Sequence, residues 1–175
     1  MPNNEYYTGG SQSATGPAFL GLGEKQDEAA GFLVPSTGDV LLGSFDLALW
    51  WRGGANELDV YLVAERQRTP TNGTEPYEPD DTAVVERWRL TNIPTQLAAT
   101  GNVVHVESAV HPRITANTRN WVYISVPQDD SAVAWMSSQL GYDGPGWRAE
   151  RNSVIGFEWK VFANAGPALR ITALS

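Results

Sequence analysis

The feature that most constrains this chain is an alternation of side chains with a period of two residues, which recurs along most of its length. In the segment 119–126, Val122 and Ile124 alternate with Trp121 and Tyr123. A period of two is that of a pleated strand, whose successive side chains point to opposite faces of a sheet. Because both faces carry large side chains, the sequence predicts a central strand that is covered on each face.

Two pairs of alternating segments are separated by short polar turns, and the sequence predicts that each pair forms a hairpin. The segment 119–126 is followed by a Pro-Gln-Asp-Asp-Ser turn and a second strand, 132–136. The segments 40–51 and 57–65 are separated by Arg-Gly-Gly-Ala-Asn. Gly, Pro, Asn and Asp supply the backbone conformations that tight turns require.

About ten such strands are separated by turn signals, and hardly any segment has the period of a helix. Parallel strands need crossover connections, usually helices, and this sequence has no place for them. The sequence therefore predicts an all-β fold with minimal helix, an antiparallel β-sandwich of jelly-roll-like type. Residues 18–175 are predicted to form this single domain, and residues 1–17 a polar, flexible N-terminal tail.

Composition and charge exclude several classes of function. The chain has 175 residues, enough for one domain with a core, and a net charge of -8. An acidic protein without a basic stripe is not expected to bind nucleic acid. No apolar run is long enough to span a bilayer, so no membrane insertion is predicted. The absence of Cys rules out a disulfide framework and a Cys-based zinc site.

Aromatic residues are the first candidates for a binding site, since the chain has seven Trp and six Tyr. Sugar rings have apolar C–H faces that stack on aromatic rings, so a carbohydrate-binding sandwich needs Trp or Tyr outside its core. Trp50 and Tyr61 lie opposite the core-facing residues of the predicted 40–65 hairpin, and Tyr142 and Trp147 lie in a Gly/Pro-rich loop. The alternative is that a second sheet or the segment 66–81 covers Trp50 and Tyr61.

Acidic residues in turns are the candidates for a metal site. Weak candidates for calcium ligands are Asp80, Asp81, Asp129, Asp130 and Asp143. Calcium requires six to eight oxygen ligands, and these residues do not have the spacing of an EF-hand loop. Adjacent Asp residues are more commonly solvated turn formers. The sequence thus predicts no cofactor and leaves Ca²⁺ as the alternative.

Catalytic residues are sparse. The only imidazole bases are His105 and His111, and no nucleophile elbow, zinc motif or phosphate loop is present. A pair among Glu86, Glu107 and Glu158 has the chemistry for glycoside hydrolysis, but any Glu-containing sandwich offers such a pair. We therefore predict that the protein is not an enzyme, with a glycoside hydrolase as the second alternative.

Several segments in sequence order resemble a known family. They are Ala30-Gly31-Phe32, Val40–Leu49, Asp59–Leu62, Asn120–Ser125 with Trp135 behind it, and Gly156–Phe162. Together they resemble the choice-of-anchor β-sandwich domains of bacterial surface and secreted proteins. The resemblance implies an extracellular or cell-surface module that is adhesion-like or carbohydrate-binding-like.

The partner that best fits these observations is a polysaccharide or surface glycan, or another surface ligand bound through exposed aromatics. The first alternative is self-association, in which the chain is a structural subunit of a surface layer, filament or particle. The polar N-terminal segment and the strands with large residues on both faces favour that alternative.

Overall fold

The structure, a computed structural model, describes residues 5–8, 14–20, 26–34, 38–68, 75–95, 102–127, 131–138, 146–152, 158–163 and 166–174. These residues form β-strands and no helix, so none of them belongs to a helix that could cross a membrane. The strands are β1 (Glu5–Thr8), β2 (Ala14–Leu20), β3 (Gln26–Leu33), β4 (Val40–Gly53), β5 (Glu57–Gln67), β6 (Tyr77–Thr91), β7 (Val103–Glu107), β8 (Arg113–Ile114), β9 (Arg119–Ser125), β10 (Ala132–Ser138), β11 (Trp147–Asn152), β12 (Lys160–Ala163) and β13 (Leu169–Ala173).

The strands form two antiparallel sheets that pack against each other. The first sheet has the order β1-β13-β4-β10-β2, with β7 and β8 also paired to β4. The long β4 pairs with different strands along its length. Its residues 42–47 pair with β13, and its residues 49–53 pair with β10. The second sheet has the order β12-β11-β3-β9-β5-β6. The predicted all-β antiparallel sandwich is confirmed.

Neither predicted hairpin forms. Strand β4 lies in the first sheet and β5 in the second, and β9 lies in the second sheet whereas β10 lies in the first. Packed sheets are about 10 Å apart, a distance that three or four extended residues can cross. A short polar turn is therefore compatible with an arch between sheets as well as with a hairpin, and the alternation of side chains does not distinguish them.

The predicted N-terminal tail contains strands. Residues 5–8 pair with β13, and residues 14–20 pair with β10, at the edge of the first sheet. This differs from the flexible tail expected for residues 1–17. The composition of this segment is polar, which led to the prediction of a tail. Composition does not show that β10 and β13 each have an edge with which β2 and β1 can pair.

The main core lies between the inner faces of the sheets. Its side chains include Phe32, Phe45, Leu47, Leu62, Ile124 and Trp135, all fully buried. The side of the sandwich near β6 and β7 is closed by Trp88, whose Nε1–H donates to the Glu107 carbonyl at 2.9 Å. The Trp88 ring also meets Phe45 edge to face, with 4.8 Å between centroids.

A second apolar cluster covers the opposite, outer face of the second sheet. It contains the buried Trp121, Tyr123 and Trp159, with Tyr61 and Trp147 packed against it. Strand β9 is therefore central and covered on both faces, as predicted. This outer face brings together the residues described next.

Candidate functional site

The candidate site is an aromatic and charged surface on the outer face of the second sheet. Strand alternation places side chains of β3, β5, β9 and β11 on this face, and cross-strand register puts Tyr61 beside Tyr123 and both Trp121 and Trp147 beside Gly31. We call it the outer-face site, and its members are Asp27, Tyr61, Arg119, Trp121, Tyr123, Trp147, Arg151 and Trp159.

The floor of the site is aromatic. Tyr61 stacks on Tyr123 with 4.5 Å between ring centroids and 11° between planes, and Trp159 meets Tyr123 edge to face at 5.7 Å. Tyr61 remains partly exposed, whereas Tyr123 is only 5% exposed. Burial raises the pKa of both hydroxyl groups, so both tyrosines are neutral hydrogen-bonding groups at ordinary pH.

Two arginines lie against the aromatic rings. The Arg119 guanidinium is 3.7 Å from the ring centroid of Trp147, and that of Arg151 is 4.4 Å from the ring centroid of Trp159. Such cation–π contacts orient a guanidinium without using its N–H groups. Both arginines therefore keep donors available for carboxylates or for a ligand.

Carboxylates neutralise these arginines. Arg151 donates from Nε to Asp27 Oδ2 at 2.7 Å and from Nη1 to Asp81 Oδ2 at 2.6 Å. The partners of Arg119 are more distant, with Glu75 at 3.4 Å and Glu65 at 3.7 Å. Burial lowers the pKa of Arg119 despite these carboxylates. The charge of Arg119 is thus less well compensated than that of Arg151.

Several buried polar atoms of the site make no hydrogen bond to the part of the chain that the structure describes. They are Asp27 Oδ1, Arg119 Nε and Nη1, Trp121 Nε1 and Trp159 Nε1. Native proteins satisfy almost all buried donors and acceptors, so each exception calls for an explanation. Five such atoms on one face of one sheet mark a place where hydrogen-bonding capacity exceeds what folding uses.

The four aromatic residues predicted to bind ligand do not all meet at this site. Tyr61 and Trp147 do, both partly exposed. Trp50 lies on the first sheet, where its Nε1–H donates to the Thr95 carbonyl at 3.1 Å and the Arg52 guanidinium is 5.2 Å from its ring. Trp50 and Tyr61 are separated because β4 and β5 are not a hairpin. Tyr142 is outside the described residues.

Other members of the site were not predicted from the sequence. Arg119, Trp121 and Tyr123 are two residues apart on β9, so alternation alone assigns them to one face. That pattern was a signal for Arg119 as a site residue. Asp27 and Arg151 carry no such signal, because their proximity arises from the pairing of β3 with β11.

The predicted calcium ligands that the structure describes have protein partners. Asp80 Oδ1 accepts from the Thr82 hydroxyl at 2.6 Å and from the Thr82 N–H at 3.1 Å, and these bonds lower the pKa of Asp80. Asp81 accepts from Arg151. The described residues contain no group of three or more His, Asp or Glu suited to a metal ion. Asp129, Asp130 and Asp143 lie outside the described residues.

The histidines and glutamates considered for catalysis are dispersed. His105 lies on the first sheet between Asp46, 2.6 Å from Nδ1, and Glu107, 2.8 Å from Nε2. Glu86 is buried and accepts from the Ser108 hydroxyl and the Ala109 N–H. Glu158 is exposed. Glu86 therefore binds residues 108 and 109 in the loop after β7, whereas Glu107 binds His105.

A search of protein families, of curated proteins and of solved structures found no match to this chain. The resemblance to choice-of-anchor domains stays a prediction.

Proposed function

We propose that the protein is a non-catalytic module that binds a carbohydrate at the outer-face site. The observation that carries this proposal is the coincidence, on one face, of partly exposed Tyr61 and Trp147 with buried polar atoms that have no partner in the described chain. The predicted extracellular or cell-surface location accords with such a ligand and is part of the proposal.

The unpartnered atoms have the hydrogen-bonding character that suits sugar hydroxyls. Trp121, Trp159 and Arg119 offer N–H donors, and Asp27 Oδ1 offers an acceptor. A hydroxyl group both donates and accepts, so one class of ligand satisfies all five atoms. A buried donor or acceptor left unpaired costs about 1–3 kcal/mol, which a bound hydroxyl would recover.

The charge balance of the site favours a neutral ligand over a phosphate or sulfate. Arg151 is paired with Asp27 and Asp81, and Arg119 lies near Glu65 and Glu75. An anion would meet these four carboxylates at close range, where like charges repel. The whole chain carries a net charge of -8, which adds to that repulsion.

Binding is tested by isothermal titration calorimetry with hexasaccharides of cellulose, xylan, mannan and chitin. We expect binding of at least one of them, and a loss of about tenfold or more in affinity for Tyr61→Ala and for Trp147→Ala, as for an aromatic contact at the centre of an interface. Trp50→Ala is the matched control, because Trp50 is also partly exposed but lies on the other sheet.

Three results would contradict the proposal. One is that no hexasaccharide binds, and another is that Trp50→Ala weakens binding as much as Trp147→Ala does. The third is the release of shorter sugars on incubation, which would identify a hydrolase instead. Circular dichroism of each variant separates a loss of binding from a loss of folding.

Self-association is a second candidate function, favoured by an apolar patch on the first sheet. Leu41 and Leu174 are 45% and 44% exposed and adjacent, since the Leu174 N–H donates to the Leu41 carbonyl at 2.9 Å. Sedimentation over a wide concentration range tests this candidate. Oligomers that dissociate in Leu41→Ser would support it, and a monomer at every concentration would eliminate it.

A further inference from the structure

We infer that residues 80–83 form a strap that closes over the outer-face site, and that the Asp81–Arg151 ion pair is its latch. A ligand then enters when the strap lifts, and the latch sets how often this happens. The part of this inference that concerns ligand entry rests on the proposed function. The closure of the site is a property of the free protein and can be measured without a ligand.

The register between β5 and β6 shows that the strap leaves the sheet. Val63 pairs with Val84, and Glu65 pairs with Pro79. One residue on β5 therefore lies opposite four residues on β6, which are residues 80–83. Extra residues on one strand interrupt the ladder and bend the chain out of it. The strap is thus an insertion in β6 that is not held by regular pairing with β5.

The strap extends toward the far side of the sheet. Asp81 binds Arg151 of β11, and β11 is separated from β5 by β9 and β3. With about 4.8 Å between neighbouring strands, this separation is about 14 Å. Strand β6 also comes close to β9 and β12, neither of which is its neighbour in the sheet. The latch therefore spans the face rather than joining adjacent strands.

The latch lies above the floor of the site. The Arg151 guanidinium is 5.8 Å from the Tyr123 ring and 4.4 Å from the Trp159 ring, and its Nε also binds Asp27. Tyr123 and Asp27 are 5% and 4% exposed, although they point away from the main core. Arg151 therefore helps to cover both residues, together with Tyr61 and Trp159, which pack against Tyr123.

Within the part of the chain that the structure describes, few contacts would keep the strap closed. Asp80 binds Thr82 within the strap, so these bonds shape the strap without attaching it to the sheet. Arg66 is 3.9 Å from both Asp80 and Asp81, which is at the limit of an ion pair. The Asp81 side chain is 31% exposed, so water and salt reach the latch.

The first measurement uses the free protein. Hydroxyl-radical footprinting with mass spectrometry reports the accessibility of Tyr123 and Trp159. In Asp81→Asn, which preserves the size of the side chain, we expect the oxidation of both residues to rise about three- to fivefold, the equilibrium change that loss of one exposed ion pair produces. Asp39→Asn is the matched control, because Asp39 is equally exposed in an ion pair with Arg113 on the other sheet.

Wild-type protein in roughly 1 M salt offers the same measurement without a substitution, since the screening length there is only about 3 Å. Oxidation of Tyr123 should rise there too. Unchanged oxidation of Tyr123 both in Asp81→Asn and in high salt would overturn the inference.

The second measurement is stopped-flow binding of the hexasaccharide that binds most tightly in the calorimetry. The association rate should rise in Asp81→Asn and stay unchanged in Asp39→Asn. Increased oxidation without a faster association rate would overturn the role of the strap as a gate. Increased oxidation in a protein that binds none of the hexasaccharides would overturn the proposed function and leave the closure of the strap supported.

Discussion

A Cβ atom on Gly31 would lie 2.9 Å from Cζ3 of Trp121. Trp121 is fully buried, so its rigid indole has no free space into which to move. We expect Gly31→Ala to lower the free energy of unfolding by about 1–3 kcal/mol, the usual cost of overpacking. The measurement is the midpoint of urea unfolding. Gly53→Ala is the control, because among the described residues no heavy atom beyond its chain neighbours lies within 4 Å of its added Cβ. Equal changes in the unfolding midpoint for the two substitutions would contradict this prediction, because they would show that Trp121 moves to make room for the added Cβ.

Glu28 should make the protein less stable as the pH rises toward neutrality. This carboxyl group is fully buried, and burial raises its pKa from 4.5 to about 7 although Arg148 Nε lies 2.6 Å from Oε1. The folded state therefore binds a proton more readily than the unfolded state between these values. Stability from this group is complete below pH 4.5 and is lost as the pH rises to about 7. The loss is at most about 3–4 kcal/mol, for a shift of about 2.5 pKa units at about 1.4 kcal/mol per unit.

The measurement is urea unfolding across this pH range for wild type and Glu28→Gln. Gln does not titrate, so the variant should gain stability relative to wild type as the pH rises and then level off above about 7. Parallel curves for wild type and Glu28→Gln would refute this prediction.

His105 should titrate above its ordinary pKa of 6.5. Donation from its ring N–H groups to Glu107, and to a lesser degree to Asp46, favours the charged imidazolium and so raises the pKa of His105. Its contribution to stability is then complete below pH 6.5 and is lost as the pH rises through the folded-state pKa. Because the side chain is half-exposed, we expect less than about 1 kcal/mol. The measurement is an NMR titration of the imidazole, in which Glu107→Gln and Asp46→Asn should each lower the pKa. A wild-type midpoint at or below 6.5 would be inconsistent with these contacts.

Glu86 should be important for joining the edges of the two sheets. It accepts from the Ala109 N–H at 2.7 Å and from the Ser108 hydroxyl at 2.6 Å, and Ser108 Oγ accepts from the N–H of His111, which has a φ of 47°. Glu86→Ala leaves these donors unpaired, which should cost about 2–4 kcal/mol of unfolding free energy.

Thermal and urea unfolding measure this cost. Glu86→Gln should cost less than Glu86→Ala because it keeps one carbonyl acceptor. Glu107→Ala, at a mostly exposed position next to Ser108, is the control and should have a smaller effect. A larger effect for Glu107→Ala than for Glu86→Ala would contradict the assigned role.

Local alternation was sufficient to predict much of the fold. The strand over 119–126 was predicted to be central, and Trp121 and Tyr123 are buried on a strand with neighbours on both sides. The same alternation placed Tyr61 on the face away from the main core, where the structure has it. Side-chain direction along a strand depends only on the covalent pleat, so it can be read from one segment at a time.

The partners of each strand could not be read in this way. Trp50 and Tyr61 were predicted to share a hairpin, and they lie on different sheets because the turn between β4 and β5 crosses the sandwich. Asp27 and Arg151 are far apart in sequence and meet through β3 and β11. The sequence alone thus determined the strand composition, the antiparallel sandwich and the face on which each side chain lies. Only the tertiary structure decided which strands are neighbours, and hence which charged and aromatic groups form the outer-face site, because pairing depends on the packing of the whole chain rather than on local propensity.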